Sequence, residues 1–173
     1  MQIIGTLFSS FILPVVCIAL VLVASLHDIV ARTIPNCLVL ILAAVGVTMG
    51  VLGGHLAGSL IVATGVFVLA SLCWRRGWMG GGDVKLLGAA ALGIMPSFVF
   101  TFAAAVAIAG GVLALFYLIA KKFVPTSASL RPDGVYARAL RVERWRIARG
   151  GPLPYACAIA AGAVYVNLSG GAP

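Results

Sequence analysis

Acidic residues are almost missing from this sequence: Asp and Glu together number 4 in 173 residues, and charged residues of both signs make up 9%. An ordinary globular domain is about a quarter charged and about half apolar. Here hydrophobic residues reach 62%, with a mean hydropathy of +1.16. A soluble fold of this size has too little interior to hide so much apolar surface. That excludes a cytosolic enzyme, a secreted disulfide scaffold and a disordered chain. Cysteine is sparse too. Cys17, Cys37, Cys73 and Cys157 are scattered, mostly in apolar runs, and none forms a CxxC pair. No zinc site, redox centre or disulfide framework is indicated. Histidine occurs twice, as His27 and His55. No Ser–His pair and no metal-ligand cluster offers a chemistry of its own, so neither a metal nor a cofactor is expected. The N-terminus lacks a basic n-region and its apolar run has spanning length, so it reads as a membrane helix rather than a cleavable signal.

What is present is a series of apolar runs, at about residues 3–26, 37–53, 56–74, 84–120 and 152–168. A helix needs roughly 20 residues to cross a hydrocarbon core. The fourth run is too long for one crossing, and Pro96 and Ser97 divide it. Charge placement decides how often it crosses. If it crosses twice, all 12 Lys and Arg face one side of the membrane, and the positive-inside rule makes that side cytoplasmic. The chain then reads as an all-α polytopic membrane protein: one domain over residues 1–173, six transmembrane helices, both termini on the non-cytoplasmic side, and a basic cytoplasmic loop at 121–151. The net charge of +8 suggests nucleic acid in a soluble protein. In this arrangement it belongs to cytoplasmic loops, and no nucleic-acid partner is expected.

Some features read as structural. The fourth helix, at 84–95, covers only about 18 Å at 1.5 Å per residue against a core of about 30 Å. Residues 80–83 drawn into the membrane, or local bilayer thinning, would make up the difference. Gly46, Gly50, Gly54 and Gly58 recur at intervals of four, a spacing that lets membrane helices approach closely. Residues 134–150 resemble a basic helix on the membrane surface, with Val135, Ala139, Val142 and Trp145 toward lipid and Arg138, Arg141 and Arg144 toward phosphates. A plain cytoplasmic loop fits them nearly as well.

Of the four acids, Asp133 and Glu143 fall in the basic loop as solvated partners for arginine. Asp28 ends the first span and Asp83 begins the fourth, both on the cytoplasmic boundary and at similar depth. An ionisable group within a span costs roughly 2.5–3.5 kcal/mol and is a functional candidate by default. Structural readings stand beside that one: Asp83 as N-cap of a helix starting at Val84, and Asp28 paired with Arg32 one turn later. Two carboxyls close together in a poorly solvated site share a proton. The ionised one takes a proton from water as that water attacks a peptide carbonyl. The protonated one stabilises the oxyanion and then protonates the leaving amine. Gly80, Gly81 and Gly82 supply backbone that a peptide can approach closely. His27 and His55, on opposite faces of the membrane, read as interfacial polar residues.

Gly80-Gly81-Gly82-Asp83, followed by Val84-Lys85, resembles the GxGD motif of membrane aspartyl proteases. The stretch Asp28-Ile29-Val30-Ala31-Arg32-Thr33-Ile34-Pro35-Asn36 is similar to the Asp-x3-Arg-x-Ile-Pro-Asn segment of bacterial prepilin peptidases. Pro152-Leu153-Pro154-Tyr155, followed by Ala158-Ile159-Ala160, looks like that family's last helix. The resemblance implies an inner-membrane aspartic endopeptidase without cofactor or metal, cutting basic leaders from prepilins and pseudopilins, with Asp28 and Asp83 catalytic. Gly80 and Gly82 match the motif glycines. Arg32, Pro35, Asn36 and Lys85 match flanking positions in supporting roles, with Pro35 placed to start the second helix. Larger members carry a cytoplasmic insert with paired CxxC motifs and methylate the new N-terminus. This chain has neither, and looks like the short form tied to tight-adherence (Flp, type IVb) pili, a peptidase without methyltransferase activity. Two other readings stay open: a different intramembrane GxGD protease, and a pilus-assembly scaffold or proton-coupled transporter using the aspartates as a relay. Membrane lipid is an expected partner; oligomeric state is not legible.

Overall fold

The computed structural model describes residues 11–123 and 153–171, and every regular element in them is helical. Six α-helices follow in order: α1 (Leu13–Ala31), α2 (Asn36–Leu52), α3 (Leu56–Arg75), α4 (Gly81–Leu92), α5 (Val99–Phe123) and α6 (Tyr155–Leu168). A 3₁₀ turn at Pro96–Phe98 precedes α5. The segments at 1–10 and 134–150, most of the basic loop at 121–151, and Pro152 lie outside the described residues.

The helices are apolar on both faces, which is the mark of a chain dissolved in lipid. On α1, Cys17, Val21 and Ala24 turn inward, while Val15, Leu22, Val23 and Leu26 are exposed. Leu13–Ala31, Leu56–Arg75 and Pro96–Phe123 are long and apolar enough to cross a membrane, and Asn36–Leu52 and Tyr155–Leu168 are shorter apolar helices. The chain is an all-α polytopic membrane protein.

The fourth apolar run does double back. A Cβ on Gly110 would lie 2.9 Å from the Tyr155 ring, one on Gly162 would strike Val106, and one on Gly171 would lie 2.9 Å from Phe98. These pairings make α5 and α6 antiparallel. The electrostatic coupling of Tyr155 to Asp83 puts the starts of α6 and α4 at one end of the bundle. The Met95 N–H donates to the Gly171 carbonyl at 3.0 Å, joining their far ends. So α4 and α5 run in opposite directions, and the 12-residue α4 packs among α1, α2, α3 and α6. Its shortness follows from that position: most of its side chains from Val84 to Ala91 meet protein rather than lipid. Every described Lys and Arg (Arg32, Arg75, Arg76, Lys85, Lys121 and Lys122) falls at the end of the bundle where α4 begins.

Without a hydrophobic drive between helices in lipid, close van der Waals packing must hold them. Three of the glycines spaced by four, Gly46, Gly50 and Gly58, do this, though not as one helical stripe. Gly46 and Gly50 lie on α2, Gly54 sits in the α2–α3 turn at φ +69°, and Gly58 on α3 faces Pro96. Gly46 is the tightest of them, because its Cβ would sit 2.9 Å from the Gly93 nitrogen and 2.8 Å from Leu92 Cβ. Gly46→Ala is therefore expected to destabilise the protein by about 1–3 kcal/mol through overpacking. Gly65→Ala, which meets nothing within 4 Å, should not. Thermal unfolding of the two variants in detergent checks the contrast.

Candidate active site

Asp28 arrives on the inward stripe of α1. The repeat that buries Cys17, Val21 and Ala24 continues one turn further, leaving the aspartate 8% exposed. Helix α1 then stops at Arg32, whose φ of 54° makes it the one non-glycine residue with positive φ among the described residues. The Arg32 N–H closes the last turn on the Asp28 carbonyl at 2.9 Å. Holding a side chain in this left-handed region costs roughly 1–2 kcal/mol, and such strain gathers where a site needs a particular turn. The turn delivers Thr33, Ile34 and Asn36 beside Asp28. Pro35 is the N-cap of α2, one residue ahead of the first helical position, and its carbonyl accepts the Leu38 N–H at 3.1 Å.

Asp83 arrives on α4, which starts at Gly81 rather than at the expected Val84. Gly80 is thus the N-cap, and Asp83 sits in the first turn. Its carboxylate reaches back to accept the Gly80 N–H, the acidic half of a capping box. A negative charge is also favoured at a helix N-terminus. Of the three glycines that open α4, Gly80 is the one whose Cβ would be crowded; Cβ atoms on the other two would meet ordinary contacts. A Cβ on Gly81 would come within 3.4 Å of Trp74 Nε1, one on Gly82 within 3.4 Å of Ile34, and one on Gly80 within 2.9 Å of Asp83 Oδ2.

The two segments face each other across a cavity of about 330 Å³. Asp28, Arg32, Thr33, Ile34 and Asn36 line one side, and Gly80, Gly81, Gly82, Asp83 and Lys85 the other. Of the catalytic and supporting residues expected from the two motifs, all but Pro35 line this one space. Thr33 and Ile34 are additions, and Gly81, expected only as part of the glycine run, lines the cavity as well. They fall inside the two sequence motifs, at positions whose side chains carry no chemical signal. Lys85 Nζ donates to Asn36 Oδ1 at 3.2 Å, tying the starts of α4 and α2 together. The charges of Asp28 and Arg32 both act on Asp83. A cavity near 300 Å³ is at the small end for ligand sites.

Other polar groups are placed differently. His27 lies at the α1 end beside Asp28. His55 lies at the far end of the 17-residue α2, about 25 Å away along the helix. The structure does form one Ser–His pair, with His55 Nδ1 2.8 Å from Ser59 Oγ. Ser59 is fully buried, and the pair closes the first turn of α3, far from the cavity. Among the described residues, no three His, Cys, Asp or Glu side chains converge.

No curated protein and no solved structure matches the chain. A family model does: that of the type IV leader peptidases matches residues 15–115, from α1 through both aspartate segments and into α5. With more than half of its length matched, the chain belongs to the type IV leader peptidase family.

Proposed function

We propose that the chain is an aspartic endopeptidase of the bacterial inner membrane that removes the basic leader from Flp-type prepilins and pseudopilins at the cytoplasmic face. Family membership supports a leader peptidase with prepilin-type substrates in general. The single observation that carries the finer reading is the cavity lined by both Asp28 and Asp83. In this reading residues 1–173 form one peptidase domain, and the end of the bundle rich in Lys and Arg is cytoplasmic, as the positive-inside rule requires.

The substrate's scissile peptide lies in the cavity with a water between the carboxyls. One carboxylate takes a proton from the water, whose oxygen bonds to the carbonyl carbon. The protonated partner donates a hydrogen bond to the developing oxyanion. Collapse breaks the C–N bond as a proton passes to the leaving amine, giving a leader with a new carboxylate and a pilin with a new amine. Arg32 holds positive charge near the pair. The Lys85–Asn36 hydrogen bond fixes the spacing of the two helix starts, and Gly80 and Gly82 keep the approach to Asp83 free of side chains.

The test is co-expression with an Flp-type prepilin and mass spectrometry of the product. A product shortened by its basic leader supports the reading. Failure of the intact chain to cut any prepilin favours a scaffold or transporter. Because the chain has no CxxC-bearing insert, the purified protein is expected to transfer no methyl group from S-adenosylmethionine to the cleaved pilin. Incorporation of labelled methyl would overturn that part.

A further inference from the structure

His27, the residue before Asp28, takes no part in the acid–base scheme, yet it makes a short hydrogen bond beside the site. Its Nδ1 lies 2.6 Å from the Thr33 carbonyl. A carbonyl only accepts, so Nδ1 carries the hydrogen and donates it. The bond spans from the last turn of α1 to the extended segment beyond the left-handed Arg32. The backbone bond from the Arg32 N–H to the Asp28 carbonyl fixes where the helix stops. It leaves the direction of the chain after Arg32 open. The His27 bond fixes that direction at the peptide joining Thr33 to Ile34.

That peptide matters because Ile34 is one of the places, with the Asn36–Lys85 hydrogen bond, where the first aspartate segment meets the second. The Ile34 side chain lies against Gly82, 3.4 Å from where a Cβ would stand, and Gly82 immediately precedes Asp83. A path of contacts thus runs from the His27 ring to the Thr33 carbonyl, the Ile34 side chain, the Gly82 backbone and the first turn of α4. We propose that His27 is a positioning residue: it sets the α1–α2 turn so that Ile34 seats on Gly82, which holds the Asp28 and Asp83 segments at working separation. The Nδ1–H is present in both the neutral and the protonated ring, so the bond survives protonation. His27 acts by geometry and not by moving a proton. The proposal rests on the peptidase reading for its kinetic consequence, but not for its structural one.

The experiment compares the intact chain with His27→Ala and His27→Asn in lipid nanodiscs. The Asn carboxamide nitrogen stands close to the place of Nδ1 and keeps the donor, whereas Ala removes it. Amide hydrogen exchange over residues 32–36 should rise several-fold in H27A and stay near the parent level in H27N. Prepilin cleavage by H27A should fall roughly tenfold or more in kcat, as small misplacements of catalytic groups do. KM should change little, the limbs of the pH–rate profile should stay where they were, and H27N should recover most of the rate. Unchanged exchange and full activity in H27A would overturn the proposal. So would an H27N as slow as H27A, or a displaced pH limb, since either makes the ring a proton carrier. Exchange is read without any cleavage, so a chain that cuts no prepilin still tests the positioning role.

Discussion

Asp28→Asn and Asp83→Asn are each expected to reduce prepilin cleavage by about 10²–10⁴-fold, the usual worth of a positioned acid–base group. Asparagine keeps the shape of the side chain and removes its ability to take or give a proton. The fold should survive, because α1 and α4 are set by apolar and small-residue packing that neither substitution touches. Membrane abundance and thermal unfolding of the variants check this directly. Residues acting as a unit lose most of their effect together, so the double variant should be little slower than either single one. Cleavage by the intact chain should follow a bell with pH. It falls at low pH, where both carboxyls are protonated and none can accept the water's proton. It falls again at high pH, where both are ionised and none can donate to the amine. The two limbs belong to the pair rather than to either residue. Cleavage within tenfold of the parent by both single variants would make the carboxylates structural and remove the mechanism.

Much of this architecture is legible in the sequence, because lipid makes apolar length the dominant signal. The runs at 37–53 and 56–74 became Asn36–Leu52 and Leu56–Arg75. Charge placement foretold that the fourth run turns back, and the 3₁₀ turn lies at Pro96–Phe98, where Pro96 and Ser97 break the run. The meeting of Asp28 and Asp83 around one cavity follows from their equal depth at the charged end. The start of α4 was not legible. Glycine disfavours helix by about 1 kcal/mol per residue, so three in a row argue for a loop. The helix nevertheless starts at Gly81, with the Gly80 N–H held by the Asp83 carboxylate, and this moves Asp83 from the expected cap into the helix. Nor does a spacing of four between glycines say whether a turn intervenes, as it does at Gly54. The His27–Thr33 bond is not legible in the sequence either. It depends on the left-handed Arg32, a conformation that arginine gives no sign of adopting.

Gly80→Ala is expected to be the most damaging single-methyl change in the site, lowering kcat by roughly tenfold to a hundredfold with the fold intact. Backbone strain is not the cause: Gly80 has φ −71° and ψ 145°, which alanine adopts freely. The cause is the methyl itself, which would stand 2.9 Å from Asp83 Oδ2, nearer than a carbon and a carboxylate oxygen tolerate. The short aspartate side chain has to turn away, and in turning it gives up the Gly80 N–H that fixes it. A carboxylate moved by such a distance still binds and ionises, but it no longer meets the attacking water in line, so the loss falls on kcat more than on KM. Gly81→Ala is the matched control, because its methyl would meet Trp74 Nε1 at 3.4 Å, an ordinary contact. Steady-state cleavage of a prepilin peptide by the two variants separates the possibilities. If Gly81→Ala is crippled as badly as Gly80→Ala, the glycines act through chain flexibility. If Gly80→Ala cuts at the parent rate, the Asp83 carboxylate does not work from the position it holds against Gly80.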